Sequence, residues 1–243
     1  MIFLCFSSKD RYTIAESILY HLKNYGLKVW YDYHTLILGD DKIEENINNG
    51  VYKSKYVILI LSPNFYDCEC GNMELDEIKK LHDLKKLHIF PILYNVKAKD
   101  LSKQYSWITN MIYNELSNDT PSLPTCNQII CQILKDEIIS KKYQSFCDIK
   151  ANNDYINNLI SSYKLLDNQN ITAKLTILFC INEFLKSFQK DITSHFCCKI
   201  LSQLFKYTAL NLKISFKELI IAEQSINIIL NEKGFVINEI IDS

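Results

Sequence analysis

The chain opens with short, continuously apolar runs that alternate with segments whose apolar residues recur every three to four positions. MIFLCF at 1–6 reads as a fully buried first strand. Ser8, Lys9 and Asp10 then open a helix with Ile14, Ile18, Leu19 and Leu22 on one face and Gly26 as its left-handed stop. KVWY at 28–31 is the next strand, ending in Asp32; a polar loop over 33–41 turns at Gly39, and a short helix over 42–49 stops at Gly50. KYVILIL at 55–61 is the central buried strand, and Leu75, Ile78, Leu81 and Leu84 mark the inward face of the helix after it. HIFPIL at 88–93 is a further strand whose Pro91 predicts an edge position or a bulge. The stretch 97–120 fits one more short strand or helical turns, and Pro121 and Pro124 introduce a helix over 125–142. Strands alternating with helices predict an α/β fold, a doubly wound parallel sheet of five strands. Chemistry is then expected at the carboxyl ends of the strands: Phe6, Ser7 and Ser8; Asp32 and Tyr33; Ser62 to Asn64.

After residue 145 this rhythm stops, and Gly234 is the only glycine left. Helical patterns run near 152–167, 171–189, 192–210 and 215–232, predicting an all-α helical bundle. Ser215 and Glu218 make a capping box, Asp191 is a second candidate cap, and Asn170 and Asn211 fit the joints. The segment from Ile171 to Phe188 is apolar over more than one stripe, so it is expected to be central to the bundle or covered by a partner subunit. The expected domains are 1–143 and 144–243, the second serving oligomerisation or sensing.

Charge and composition narrow the function. The net charge is -1 and Arg11 is the only arginine, which argues against nucleic acid as a partner. Lys79, Lys80, Lys85 and Lys86 sit among acids and read as a solvated helix face. No window approaches the roughly 20 apolar residues a membrane span needs. The nine cysteines show no complete metal pattern, so no metal is expected, and with no secretory signal they point to a reducing, cytoplasmic location.

With the elements in order, the first 140 residues resemble the Toll/interleukin-1 receptor (TIR) domain family. FLCFSSKD at 3–10 is similar to its first box, of the type FISYSxxD; GLKVWYDYHTLILGD at 26–40 to its second box and "BB" loop; LSPNFYDCECGNMEL at 61–75 to its third, of the type LSxxYxxSxWCxxEL; HIFPILYNV at 88–96 to its fourth strand. The resemblance implies a flavodoxin-like parallel five-stranded sheet. It also implies, as in the bacterial NAD+-cleaving members, cleavage of the nicotinamide–ribose bond by the third-box glutamate, which is Glu74 here. NAD+ would be the substrate and no cofactor is implied. Self-assembly through the BB loop and the C-terminal helices, and a place in bacterial immune (antiphage) signalling, are further expectations. The alternative is a non-enzymatic TIR scaffold that acts through TIR–TIR contacts.

Carried over by position, Phe6, Ser7, Ser8 and Cys70 would line the substrate pocket, and Asp32, Leu36 and Gly39 would border it. Cys70 stands where the family has a tryptophan, so the stacking surface must come from elsewhere, with Tyr33, Phe65 and Tyr66 as candidates. Loss of nicotinamide leaves positive charge on the ribose, which an ionised carboxylate stabilises. Gly71 and Asn72 are expected to put Glu74 in the first turn of its helix, where the macrodipole would hold its pKa down. Glu69, Asp76 and Glu77 are the competing carboxylates; simple helix capping is the alternative role for Glu74, Ser7, Ser8 and Asp32.

Overall fold

The computed structural model describes residues 1–188, 190–210 and 214–237. Its elements are β1 (Ile2–Cys5), α1 (Glu16–Asn24), β2 (Val29–Trp30), α2 (Asp32–Thr35), α3 (Lys42–Glu45), β3 (Tyr56–Leu61), α4 (Pro63–Tyr66), α5 (Glu69–Asp83), β4 (His88–Tyr94), β5 (Asn114–Leu116), α6 (Leu123–Ser140), α7 (Asp154–Leu165), α8 (Ile171–Phe188), α9 (Phe196–Leu210) and α10 (Phe216–Glu232). The chain forms two compact units, dividing between Cys126 and Asn127. The divide falls inside α6, all of which was expected to belong with the first domain.

The first unit is a five-stranded parallel sheet in the order β2-β1-β3-β4-β5. This is the flavodoxin-like order, with its switch point between β1 and β3. Two of the three inner strands, β1 and β3, are the unbroken apolar runs IFLC and YVILIL, and every residue in both is buried. Parallel strands covered by helices on both faces need such continuity. Pro91 is not on an edge strand: β4 lies between β3 and β5. Its tolerance has a local cause, because β5 pairs with β4 only from Ile92 onward and leaves Pro91 beside an unpaired stretch.

Two other local expectations change. Residues 33–41 are not all loop, since α2 occupies Asp32–Thr35. Gly50 does not stop a helix. It lies in a wide π-helical turn, Asn46–Val51, that follows α3, and a Cβ there would come within 2.6 Å of the Phe3 ring. Glycine lets this turn press against β1. At the carboxyl ends of β1 and β3, the buried Asp10 accepts from Ser62 Oγ and, at 2.7 Å, from Asn64 Nδ2. Ser62 also caps α4.

The second unit contains the helices expected of it. The Ser215–Glu218 capping box is formed at the start of α10. The central helix is α10 rather than α8: nine α10 residues are buried, while α8 leaves Phe179 and Phe188 exposed. Asp191 caps no α-helix; it lies in a 3-10 turn, Lys190–Ser194, and pairs with Lys233 at 2.6 Å. Asn211 lies outside the described residues. No described helix is long and apolar enough to cross a membrane.

Candidate active site

Glu74 occupies the second turn of α5, not the first, because the helix starts at Glu69 with Cys68 as its N-cap. It is 5% exposed, unusual for a carboxylate. Its two oxygens are held separately. Asn46 Nδ2 donates to Oε1 at 2.8 Å, and Cys5 Sγ donates to Oε2 at 3.4 Å. Trp30 Nε1 in turn donates to Asn46 Oδ1 at 3.0 Å.

The expected pKa depression is overturned. Burial pushes the Glu74 carboxyl up from 4.5 to about 7, with the Asn46 and Cys5 hydrogen bonds and the charge of Lys42 pulling the other way. The reason is position. One turn further into the helix, the dipole fades and desolvation by β1 and the Asn46 turn takes over. Burial and the neighbouring Glu74 likewise raise the Cys5 thiol, which stays a protonated donor.

The other three carboxylates near Glu74 face elsewhere. Glu69 and Asp76 are exposed, and Glu77 accepts from Tyr52 Oη at 2.8 Å and from Lys80 Nζ at 2.6 Å.

Glu74 forms part of the wall of a hollow of about 280 Å3, partly open to solvent. Of the residues expected there, Phe6, Asp32 and Cys70 also line it. Ser7, Ser8, Leu36 and Gly39 do not. Ser7 is buried and Ser8 is exposed. Leu36 ends α2, and Gly39 turns the exposed loop beyond it at φ 103°. Of the three candidate stacking rings, Phe65 is fully buried, Tyr66 stacks on Tyr105 at 5.1 Å, and Tyr33 lies under the Arg11 guanidinium at 4.3 Å. None lines the hollow. Its aromatic wall is Phe3 and Phe6, the latter stacked on Tyr31 at 5.7 Å.

Sequence reasoning did not find Lys42, Asn46 or Cys68, all of which line the hollow. Asn46 carried a faint signal: it falls three residues after Ile43 and four before Gly50, on the helix face turned inward. Asp32 is held between two cations at the rim, Arg11 at 3.7 Å and Lys42 at 3.4 Å. Among the described residues, no three metal-ligating side chains converge, and all nine cysteines are free.

A buried carboxylate with a pKa near neutrality, set in a hollow at the switch point of a parallel sheet, can stabilise a cation and exchange a proton. Residues 2–121 match the family model described as "TIR domain". The chain is 31% identical over 111 residues to the NAD(+) hydrolase TcpA of a Theionarchaea archaeon, covering 46% of this chain and 33% of that protein. It is 32% identical over 110 residues to the NAD(+) hydrolase TcpC of Escherichia coli, covering 44% and 35%. It is also 32% identical over 103 residues to the probable 2' cyclic ADP-D-ribose synthase TcpO of Methanobrevibacter olleyae, covering 42% and 29%. The matches thus span about a third of each relative. Residues 2–121 thus form a domain of the TIR family.

Proposed function

We propose that the TIR unit cleaves the nicotinamide–ribose bond of NAD+, with Glu74 as its catalytic residue. The carrying observation is the buried Glu74 carboxylate on the wall of the hollow, at the position of the family's third-box glutamate. The names of the relatives, hydrolases and a probable cyclase acting on this chemistry, support the same reading.

The bond from C1′ to the pyridinium nitrogen breaks with its electron pair leaving on nicotinamide, which departs neutral and needs no acid. The ribose then carries positive charge at C1′, and ionised Glu74 stabilises it. Water attacking C1′ gives ADP-ribose and releases a proton, which a carboxylate with a pKa of about 7 is matched to accept. A nucleophile within the same ADP-ribose gives a cyclic product instead. No metal or cofactor takes part. The hollow is partly open to solvent, and in this reading it seats only the nicotinamide–ribose end. Lys42, which lines the hollow and lies 3.4 Å from Asp32, offers positive charge to the pyrophosphate.

The rest of the substrate would then be covered by a second copy. Ile37 and Leu38, at the tip of the Leu36–Gly39 loop, are 75% and 105% exposed, which suits a TIR–TIR contact. In this reading the protein acts in the cytoplasm in bacterial immune signalling, and its helical unit (residues 144–243) oligomerises or senses the trigger. Incubation with NAD+ followed by mass spectrometry should show ADP-ribose or its cyclic isomer for wild type and neither for Glu74→Gln. The same product from both would overturn the assignment. A scaffold that only binds other TIR domains would give no product from either.

A further inference from the structure

We propose that Asn46 is a positioning residue: its amide, oriented by Trp30, aims the Glu74 carboxylate into the hollow and stabilises its anion. This deepens the reading of Glu74 as the catalytic carboxylate and rests on it.

The chain of donors fixes the geometry without ambiguity. An indole N–H can only donate, so Trp30 Nε1, 3.0 Å away, requires the oxygen of Asn46 on its side. The amide nitrogen must then face Glu74 Oε1, at 2.8 Å. A flipped amide would set N–H against N–H at Trp30 and oxygen against oxygen at Glu74. Asn46 is 2% exposed, so water does not stand in for it. It opens the wide turn Asn46–Val51, which Gly50 allows to lie against Phe3 and Trp30. Such π-turns occur frequently at functional sites. With Asn46 on Oε1 and Cys5 on Oε2, the carboxylate is fixed at both ends while the other lone pairs remain for the hollow.

The other groups around Glu74 set the background for its ionisation. Cys5 comes from β1, Cys68 and Cys70 from the start of α5, Asp32 from the start of α2, and Lys42 from α3. Lys42 favours the anion and Asp32 opposes it, but neither donates a hydrogen bond to it.

The test reads ionisation directly. In full-length protein with 13C-labelled glutamate side chains, the Glu74 carboxyl signal is the one lost in Glu74→Gln. Its wild-type titration midpoint should lie at about 7. Asn46→Ala should move it up by about one unit or more, and Trp30→Phe, which keeps the amide but frees it to flip, should move it in the same direction by less. Asn46→Asp should raise it most, because two carboxylates at that spacing share a proton. If Asn46→Ala does not fold, Trp30→Phe carries the test. Midpoints within about a third of a unit of wild type would overturn the proposal. The NAD+ reading fails separately: shifted midpoints with no NAD+ cleavage sink that reading alone, and cleavage with unshifted midpoints sinks the role of Asn46 alone. In a cleaving enzyme, Asn46→Ala should lose kcat near pH 6 and recover it as pH rises.

Discussion

Cys5 Sγ lies 3.4 Å from Glu74 Oε2 and donates to it, joining two residues 69 positions apart in the sequence. Burial acts on both partners in the same direction. It keeps the thiol protonated as a donor and brings the carboxyl up to about 7, so Glu74 changes charge near neutral pH. The chemistry and the stability of the first unit are therefore linked through one proton.

The stability consequence has a definite sign. The folded pKa of Glu74, about 7, lies above its ordinary 4.5, so the stability conferred by its protonated form is fully present below about pH 4.5 and is lost as pH rises through 7. Glu74→Gln escapes that loss. Relative to wild type, the variant should gain on the order of 2–3 kcal/mol between pH 4.5 and pH 8. Urea denaturation at the two pH values checks this; a constant difference between the proteins would contradict it.

Thiol reactivity should sort by place in the hollow. Cys5 is fully buried with a raised pKa, whereas Cys70 is half-buried and lines the hollow. Brief treatment of native protein with iodoacetamide at pH 8 should label Cys68 and Cys70 and spare Cys5, as read by peptide mass mapping. Labelling should abolish NAD+ cleavage in wild type but not in the double variant Cys68→Ser, Cys70→Ser. Labelling of Cys5 ahead of Cys70 would contradict the geometry.

Gly50 tests how the wide turn reaches β1. Because an added Cβ would meet the Phe3 ring at 2.6 Å and Trp30 at 3.0 Å, Gly50→Ala should destabilise the first unit. The cost of such overpacking is about 1–3 kcal/mol, visible as a lowered Tm. An unchanged Tm would mean that the turn does not pack as described.

How far this architecture could be read in advance depended on the range of the forces involved. The strands β1 and β3 announced themselves, since a central parallel strand must be apolar on both faces. The capping box at Ser215 was also legible, being local. The ionisation of Glu74 was not, because its desolvation and hydrogen bonds come from Cys5 and Asn46, far away in sequence. Pro91 misled for a similar reason: its tolerance depends on where β5 starts, which no residue near Pro91 reveals. In the second unit, the apolar content of α8 left two readings, a central helix or one covered by a partner; packing buries α10 most and leaves Phe179 and Phe188 of α8 exposed.

The loop tip separates catalysis from assembly. Leu38 is fully exposed, so Leu38→Asp should leave the unfolding free energy within about 0.5 kcal/mol of wild type. If a second copy completes the site, the same variant should cleave NAD+ at least about tenfold more slowly and lose the concentration dependence of its specific activity, a change equivalent to about 1.4 kcal/mol. Full activity would place the loop outside the catalytic assembly.

The most direct measurement is nicotinamide release from NAD+ at high protein concentration, with wild type and Glu74→Gln compared at pH 6 and pH 8. Wild type should release nicotinamide, and faster at pH 8, where Glu74 is ionised; Glu74→Gln should release none at either pH. Equal release by the two proteins would contradict the central role of Glu74.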